Sequence, residues 1–164
     1  MVLIKNSDEL IKWISTHYTL LDLRNFCISP NNPIIKESIQ QIIKNERCED
    51  GGINPSGSGR KSDACINVMF LNYACYFETP EDQLHPIIDF ILSQKMVKGG
   101  FNCRLNRAPK KPVHSSLHTT LSMLEGIVEY EKNGYTYRLK ELLEIKKSSI
   151  EFILCHQLFL SDRT

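Results

Sequence analysis

The stretch Ile42-Ile43-Lys44-Asn45-Glu46-Arg47-Cys48-Glu49-Asp50-Gly51-Gly52-Ile53-Asn54 returns 48 residues later as Phe90-Ile91-Leu92-Ser93-Gln94-Lys95-Met96-Val97-Lys98-Gly99-Gly100-Phe101-Asn102. In both copies an apolar pair closes a helical pattern and a Glu or Gln follows. A glycine pair then precedes an apolar residue and an asparagine. Repetition at a period near 50 residues marks a stacked architecture, because a unit that cannot bury its apolar face alone needs a neighbour of its own kind. A third copy opens at Phe152-Ile153-Leu154 with His156, and Ser161-Asp162 stand where its glycines would fall. The expectation is an all-α array of helical hairpins joined by Gly-Gly loops.

Outward from the glycines, helix signals dominate. Ser7, followed by Asp8 and Glu9, caps a helix over about 7–16. Asn32-Pro33 opens a second, which carries Ile35, Ile39, Ile42 and Ile43 at helical spacing to about Asn45. A third, over about 62–77, is apolar nearly all round and belongs in the interior. Thr79-Pro80-Glu81 resembles a helix start, but Pro86 predicts a restart there, with Ile87, Ile88, Ile91 and Leu92 on one face to about Met96. Ser115 or Ser116 caps a helix whose Leu117, Leu121, Leu124, Ile127 and Val128 form a stripe ending at Asn133-Gly134. A last helix covers about 137–158. The repeat units span about 32–77, 86–133 and 137–164, in a single domain of 164 residues.

Composition narrows the function classes. With 41% apolar and 24% charged residues, the chain can bury roughly 70% of its unfolded surface without disulfides. Twenty Lys and Arg against 19 Asp and Glu leave a formal charge of +1, which argues against a bulk electrostatic nucleic-acid or membrane-surface binder. The N-terminus has no secretory pattern, and no apolar run approaches the ~20 residues of a membrane span. Six cysteines in such a chain are expected as reduced thiols in a cytoplasmic setting, serving as packing residues or metal ligands.

The helix-Gln-x4-Gly-Gly-Phe-loop-helix unit resembles the α/α-toroid superfamily of protein prenyltransferase β subunits and squalene cyclases, over roughly 42–131. Three hairpins would make about half of a full ring. Gly59-Arg60-Lys61-Ser62-Asp63-Ala64-Cys65 is similar to the prenyltransferase element whose Asp and Cys bind zinc, and His118-Thr119 to the element that supplies the third ligand. The resemblance therefore implies a zinc centre at Asp63, Cys65 and His118, acting in transfer to a thiol or water. The partner would be a prenyl-type or other apolar diphosphate held by Arg60, Lys61, Arg104 and Arg107. Zinc accepts carboxylate, thiolate and imidazole, and three protein ligands leave one position open for chemistry. Residues i and i+2 do not face each other on a helix, so Asp63 and Cys65 can meet one ion only if Asp63 lies in the turn before the helix.

Other readings of the same residues stand beside this one. Asp63 caps a helix, Cys65 packs as a small hydrophobe, and His118 is structural. A rival metal set uses Cys103, His114 and His118. Ile66 and Met69 stand where prenyltransferases carry aromatic residues, and the Asp-x-Asp-Asp run of squalene cyclases is absent. An alternative is a non-catalytic repeat module, in which a protein partner or second copy covers the inner faces and completes the ring. A carbohydrate-active α/α barrel would need paired carboxylates, and Glu49 and Asp50 are the acids beside a glycine loop.

Overall fold

The structure, a computed structural model, describes residues 15–55, 61–97, 99–106 and 108–157. These residues form six helices: α1 (Thr16–Asn25), α2 (Pro33–Asn45), α3 (Ala64–Tyr76), α4 (Glu81–Ser93), α5 (Leu117–Lys132) and α6 (Leu139–Cys155). The all-α expectation holds, and among the described residues no helix is long and apolar enough to cross a membrane.

Helix α3 is the centre. It packs against α1, α4 and most extensively α5, which is why its apolar residues occupy every side. The helices α1, α3 and α5 form one row. In a second row, Gln40 of α2 donates to Gln83 of α4 at 2.8 Å. There too Asp89 of α4 pairs with Arg138, which immediately precedes α6, at 2.6 Å. Between the rows lie Phe70, Tyr73, Phe77, Ile39, Ile42 and Leu84, all essentially without solvent contact. The carboxylate of Glu129, buried on α5, pairs with Arg24 of α1 across the end of α3.

The 48-residue repeat is a repeat of hydrogen bonds. Cys48 N donates to Gly52 O at 2.8 Å, and Met96 N to Gly100 O at 3.2 Å. Gly51 N donates to Cys48 O and Gly99 N to Met96 O, with φ of +86° and +82° at the two glycines. That left-handed backbone suits glycine. A close approach adds a second reason. A Cβ on Gly51 would lie 3.1 Å from the carbonyl oxygen of Pro86, and one on Gly99 would lie 3.4 Å from that of Ser148. Each glycine loop is thus the seat for the next outer helix.

Each inner helix begins alike. Thr19, Asn67 and Thr120 donate from their side chains to the carbonyls of Ser15, Asp63 and Ser116, four residues back. Asn67 Oδ1 also accepts from Ile53 N at 2.7 Å, and Thr120 Oγ1 from Phe101 N at 3.0 Å, tying each glycine loop to the helix that follows it.

Two expectations are corrected. Pro86 does not restart a helix, since α4 runs unbroken from Glu81 to Ser93 with Pro86 inside. The ring removes one bond, to Asp82, whose exposed position leaves that carbonyl open to water. The helix Thr16–Asn25 falls where the sequence reading placed no element, and the reading's helix over 7–16 lies mostly outside the described residues.

Gly126 is where α5 crosses α3: a Cβ there would touch Val68 Cγ2 and stand 2.8 Å from the Val68 carbonyl oxygen. Alanine gains about 1 kcal/mol of helix propensity over glycine, whereas overpacking a core costs roughly 1–3 kcal/mol. Because the obstacle includes backbone, the second effect wins. Gly126→Ala is expected to lower the urea midpoint, whereas a rise in the midpoint would show that α3 and α5 are not in this contact.

Candidate functional site

The polar groups of the chain gather where the two glycine loops meet the starts of α3 and α5. Asp50 organises the first of them. Its carboxylate accepts from Gly52 N at 3.1 Å, Ser62 N at 2.8 Å, Ser62 Oγ at 2.8 Å and Asn106 Nδ2 at 2.7 Å. Asn106 also donates to Ser62 O, and Lys61 Nζ to Asn106 O. Burial pushes the Asp50 carboxyl up, but the donors from Ser62, Asn106 and Gly52 outweigh it and hold the group below the usual carboxylate range. Asp50 is therefore a structural tie between the loops.

Beside this tie lies the second group. Asp63 occupies the N-cap position of α3 in extended backbone, φ −99° and ψ 135°, as simultaneous access with Cys65 requires, and its carboxylate takes no part in capping. Cys65 lies half-buried in the first turn of α3, and Cys103 half-buried in the second glycine loop. Tyr18 of α1 faces the same place: burial first, then the charges of Cys65 and Asp63, raise its hydroxyl above the ordinary phenol range.

The neighbouring Cys65 thiol draws the Cys103 thiol down to about 6 against the effect of burial. Cys103, followed by burial and the charge of Asp63, pushes Cys65 up.

His118 occupies on α5 the position that Cys65 holds on α3, two residues after the cap, but it is exposed. His114 has its carbonyl bonded by Asn102 Nδ2 at 2.8 Å, matching the Asn54 bond to Lys61 O in the first repeat. Among the described residues no group of three or more His, Cys, Asp and Glu side chains is placed to hold a metal ion. The structure places Asp63 and Cys65 at the start of α3, His118 exposed at the start of α5, and Cys103 and His114 in the second glycine loop. Of the expected phosphate ligands, Lys61 and Arg104 are exposed, and Arg60 and Arg107 lie outside the described residues.

Residue-by-residue reading named Asp50 only as one of two acids beside a glycine loop, and did not single out Asn67. A signal existed: Ser15-Thr16-His17-Tyr18-Thr19, Asp63-Ala64-Cys65-Ile66-Asn67 and Ser116-Leu117-His118-Thr119-Thr120 are one pattern of a small polar cap with a hydrogen-bonding side chain four residues on. Comparison with protein-family models, curated proteins and solved structures finds no match to this chain.

Asp50→Asn replaces an acceptor by an amide that cannot take all four donors, at a cost of roughly 1–3 kcal/mol. A depressed folded-state carboxyl stabilises at pH above its unfolded value, about 3.9, and that contribution is lost as the pH falls through the folded value. Urea midpoints should therefore differ between wild type and Asp50→Asn at neutral pH and converge at the acid end of the carboxylate range. An equal difference at both ends would remove the carboxylate from this role.

Proposed function

We propose that the chain is a helical-repeat association module, half of an α/α-toroid-type ring that a second copy of itself completes. One observation carries this reading: a face buried in one repeat is bare in the next. On α3, Val68, Asn72 and Cys75 lie against α5, with Asn72 Nδ2 donating to Glu125 O at 3.3 Å. The same register on α5 is Leu121, Glu125 and Val128. Val68 is 0% exposed, whereas Leu121 is 46% and Val128 43% exposed. The outer row agrees, with Ile88 of α4 at 0% and its counterpart Ile150 of α6 at 40%, next to Leu154 at 66%.

The opposite end of the array supports a second copy as the occupant. On α5, Met123, Gly126 and Ile127 are the residues turned toward α3, and their counterparts at the end of α1 are Asp22, Asn25 and Phe26. All three are exposed, Phe26 by 76%. Each copy thus offers a trailing face and a leading face of the kind that meet inside the chain. Head-to-tail contact between two such copies forms two equal interfaces about one axis and leaves no open end. Full burial of a Leu or Val side chain contributes roughly 1.5–3 kcal/mol, and about half of that remains to be gained at Leu121 and Val128 as they stand.

Sedimentation equilibrium tests this. The wild type is expected to be a dimer, and the double variant Leu121→Glu, Val128→Glu a monomer with unchanged helical circular dichroism. Phe26→Glu, at the other end, should also give a monomer. A monomeric wild type would overturn the association, and a Phe26→Glu protein that remains dimeric would overturn the head-to-tail ring.

A further inference from the structure

We propose that Asn133 is a deamidation site that the folded chain holds shut, and that its conversion to a carboxylate unties Glu129 at the end of α5. Asn133-Gly134 is the one Asn-Gly step in the sequence. Glycine carries no side chain to screen its nitrogen, so such a step closes readily into a cyclic imide. Asn133 is exposed at the C-cap of α5, and Gly134 follows in left-handed backbone, φ +78°, with nothing within 4 Å of a Cβ placed there. Water reaches both residues.

The fold engages each group that the reaction needs. Asn133 Nδ2, the leaving nitrogen, donates to Glu129 O at 2.8 Å and to Glu129 Oε1 at 2.9 Å. Gly134 N, the attacking nitrogen, donates to Glu131 O at 3.1 Å. With Asn133 ψ at 7°, that nitrogen eclipses the Asn133 nitrogen instead of facing the side chain. Ring closure therefore requires the last turn of α5 to open, and helix ends open at low free energy.

The step balances. After opening, Gly134 N gives its proton to water and bonds to Asn133 Cγ; the Cγ–Nδ2 bond breaks, and ammonia leaves, taking a proton. Water then adds to one carbonyl of the imide and breaks its bond to the Gly134 nitrogen, which recovers a proton. Opening at Cγ leaves an aspartate at this position. Opening at the backbone carbonyl leaves an isoaspartate, whose main chain runs through the side chain and is one methylene longer. An amide and water become a carboxylate and ammonium, with no change of oxidation state.

Glu129 is why the change matters. It is 2% exposed, and its Oε2 holds Arg24 of α1, while Asn133 supplies the donor for Oε1. A carboxylate at position 133 has no hydrogen to give, and it meets Glu129 with like charge. Glu129 Oε1 would then be a buried charged acceptor stripped of its donor. In the isoaspartate the longer chain also displaces Tyr135, whose N donates to Tyr130 O at 3.3 Å and whose hydroxyl donates to Thr79 O at 2.7 Å. Deamidation thus loosens α5 from α1, and the turn after α5 from the start of α4, in one direction only. This inference does not depend on association between copies.

The test incubates the full chain at neutral pH, in native buffer and in unfolding urea, and follows its digestion products by mass spectrometry. The mass gain of amide-to-acid conversion should fall on the peptide holding Asn133, and should accumulate roughly tenfold or more slowly in native buffer. Equal rates in the two conditions, or conversion in urea led by another asparagine, would overturn the proposal. For the product, Asn133→Asp should have a lower urea midpoint than Asn133→Ala, and the gap should vanish in chains that also carry Glu129→Gln. No gap, or a gap that persists beside Glu129→Gln as general repulsion at a helix end would give, overturns the link to Glu129. Circular dichroism establishes that the variants are folded; where Glu129→Gln is not, the wild-type rates and the comparison of Asn133→Asp with Asn133→Ala decide.

Discussion

One side chain per repeat holds the array together. Asn67 accepts from Ile53 N while donating to Asp63 O, and Thr120 accepts from Phe101 N while donating to Ser116 O. Each bridges the backbone that leaves a glycine pair and the first turn of the helix that follows. The N–H of Ile53 and that of Phe101 are buried and have no helical partner, so without this acceptor each would carry the penalty of an unsatisfied buried donor, roughly 1–3 kcal/mol. The bridge also sets spacing. It draws the loop close enough that only glycine fits at Gly52, where a Cβ would stand 2.9 Å from Asn67 Oδ1, and at Gly100, where it would stand 2.8 Å from Thr120 Oγ1. The glycine pair, the polar side chain four residues after the cap and the carbonyl of the next outer helix form one constraint.

This explains which parts of the fold were legible. The glycine pairs and the apolar stripes of α2, α4 and α5 are periodic signals, and they place those elements within a few residues. Asn32 and Ser116 also behave as their type predicts, accepting from Ile35 N at 3.3 Å and Thr119 N at 3.3 Å. Helix α1 was missed because its own stripe is weak. Its identity as an inner helix comes from Ser15 and Thr19, a pattern visible only by comparison with the other two repeats. Pro86 misled for a different reason: rules for an isolated helix count the lost bond, whereas here the proline lies against Gly51 and the stacking of repeats outweighs it.

The site was half legible for a reason in loop length. The period is 48 residues up to the asparagines Asn54 and Asn102, but Asp63 and Ser116, the caps that follow, are 53 apart. The second loop is therefore the longer, and its extra chain does not project outward. It lies over the first repeat, where Asn106 reaches Asp50 and Ser62. Residue types at fixed spacing could nominate Cys65 and Cys103 separately. Joining Asn106 to Asp50 required the path of that loop, and no local propensity encodes a path.

The same extra length gives the array a direction. Within the chain, α5 covers the Val68 face of α3 and its loop covers the start of α3, so each unit is completed by the one after it. The last unit has no successor among the described residues, and its register positions Leu121, Glu125 and Val128 remain in water while Val68, Asn72 and Cys75 do not. An apolar residue exposed singly on a surface needs no account. Here the exposed residues are those that the molecule's own geometry buries one repeat earlier. Repeat arrays take a polar outer face on a terminal capping repeat for solubility. Leu121, Val128, Ile150 and Leu154 are not a polar cap, and the first three stand at positions where the preceding repeat is buried.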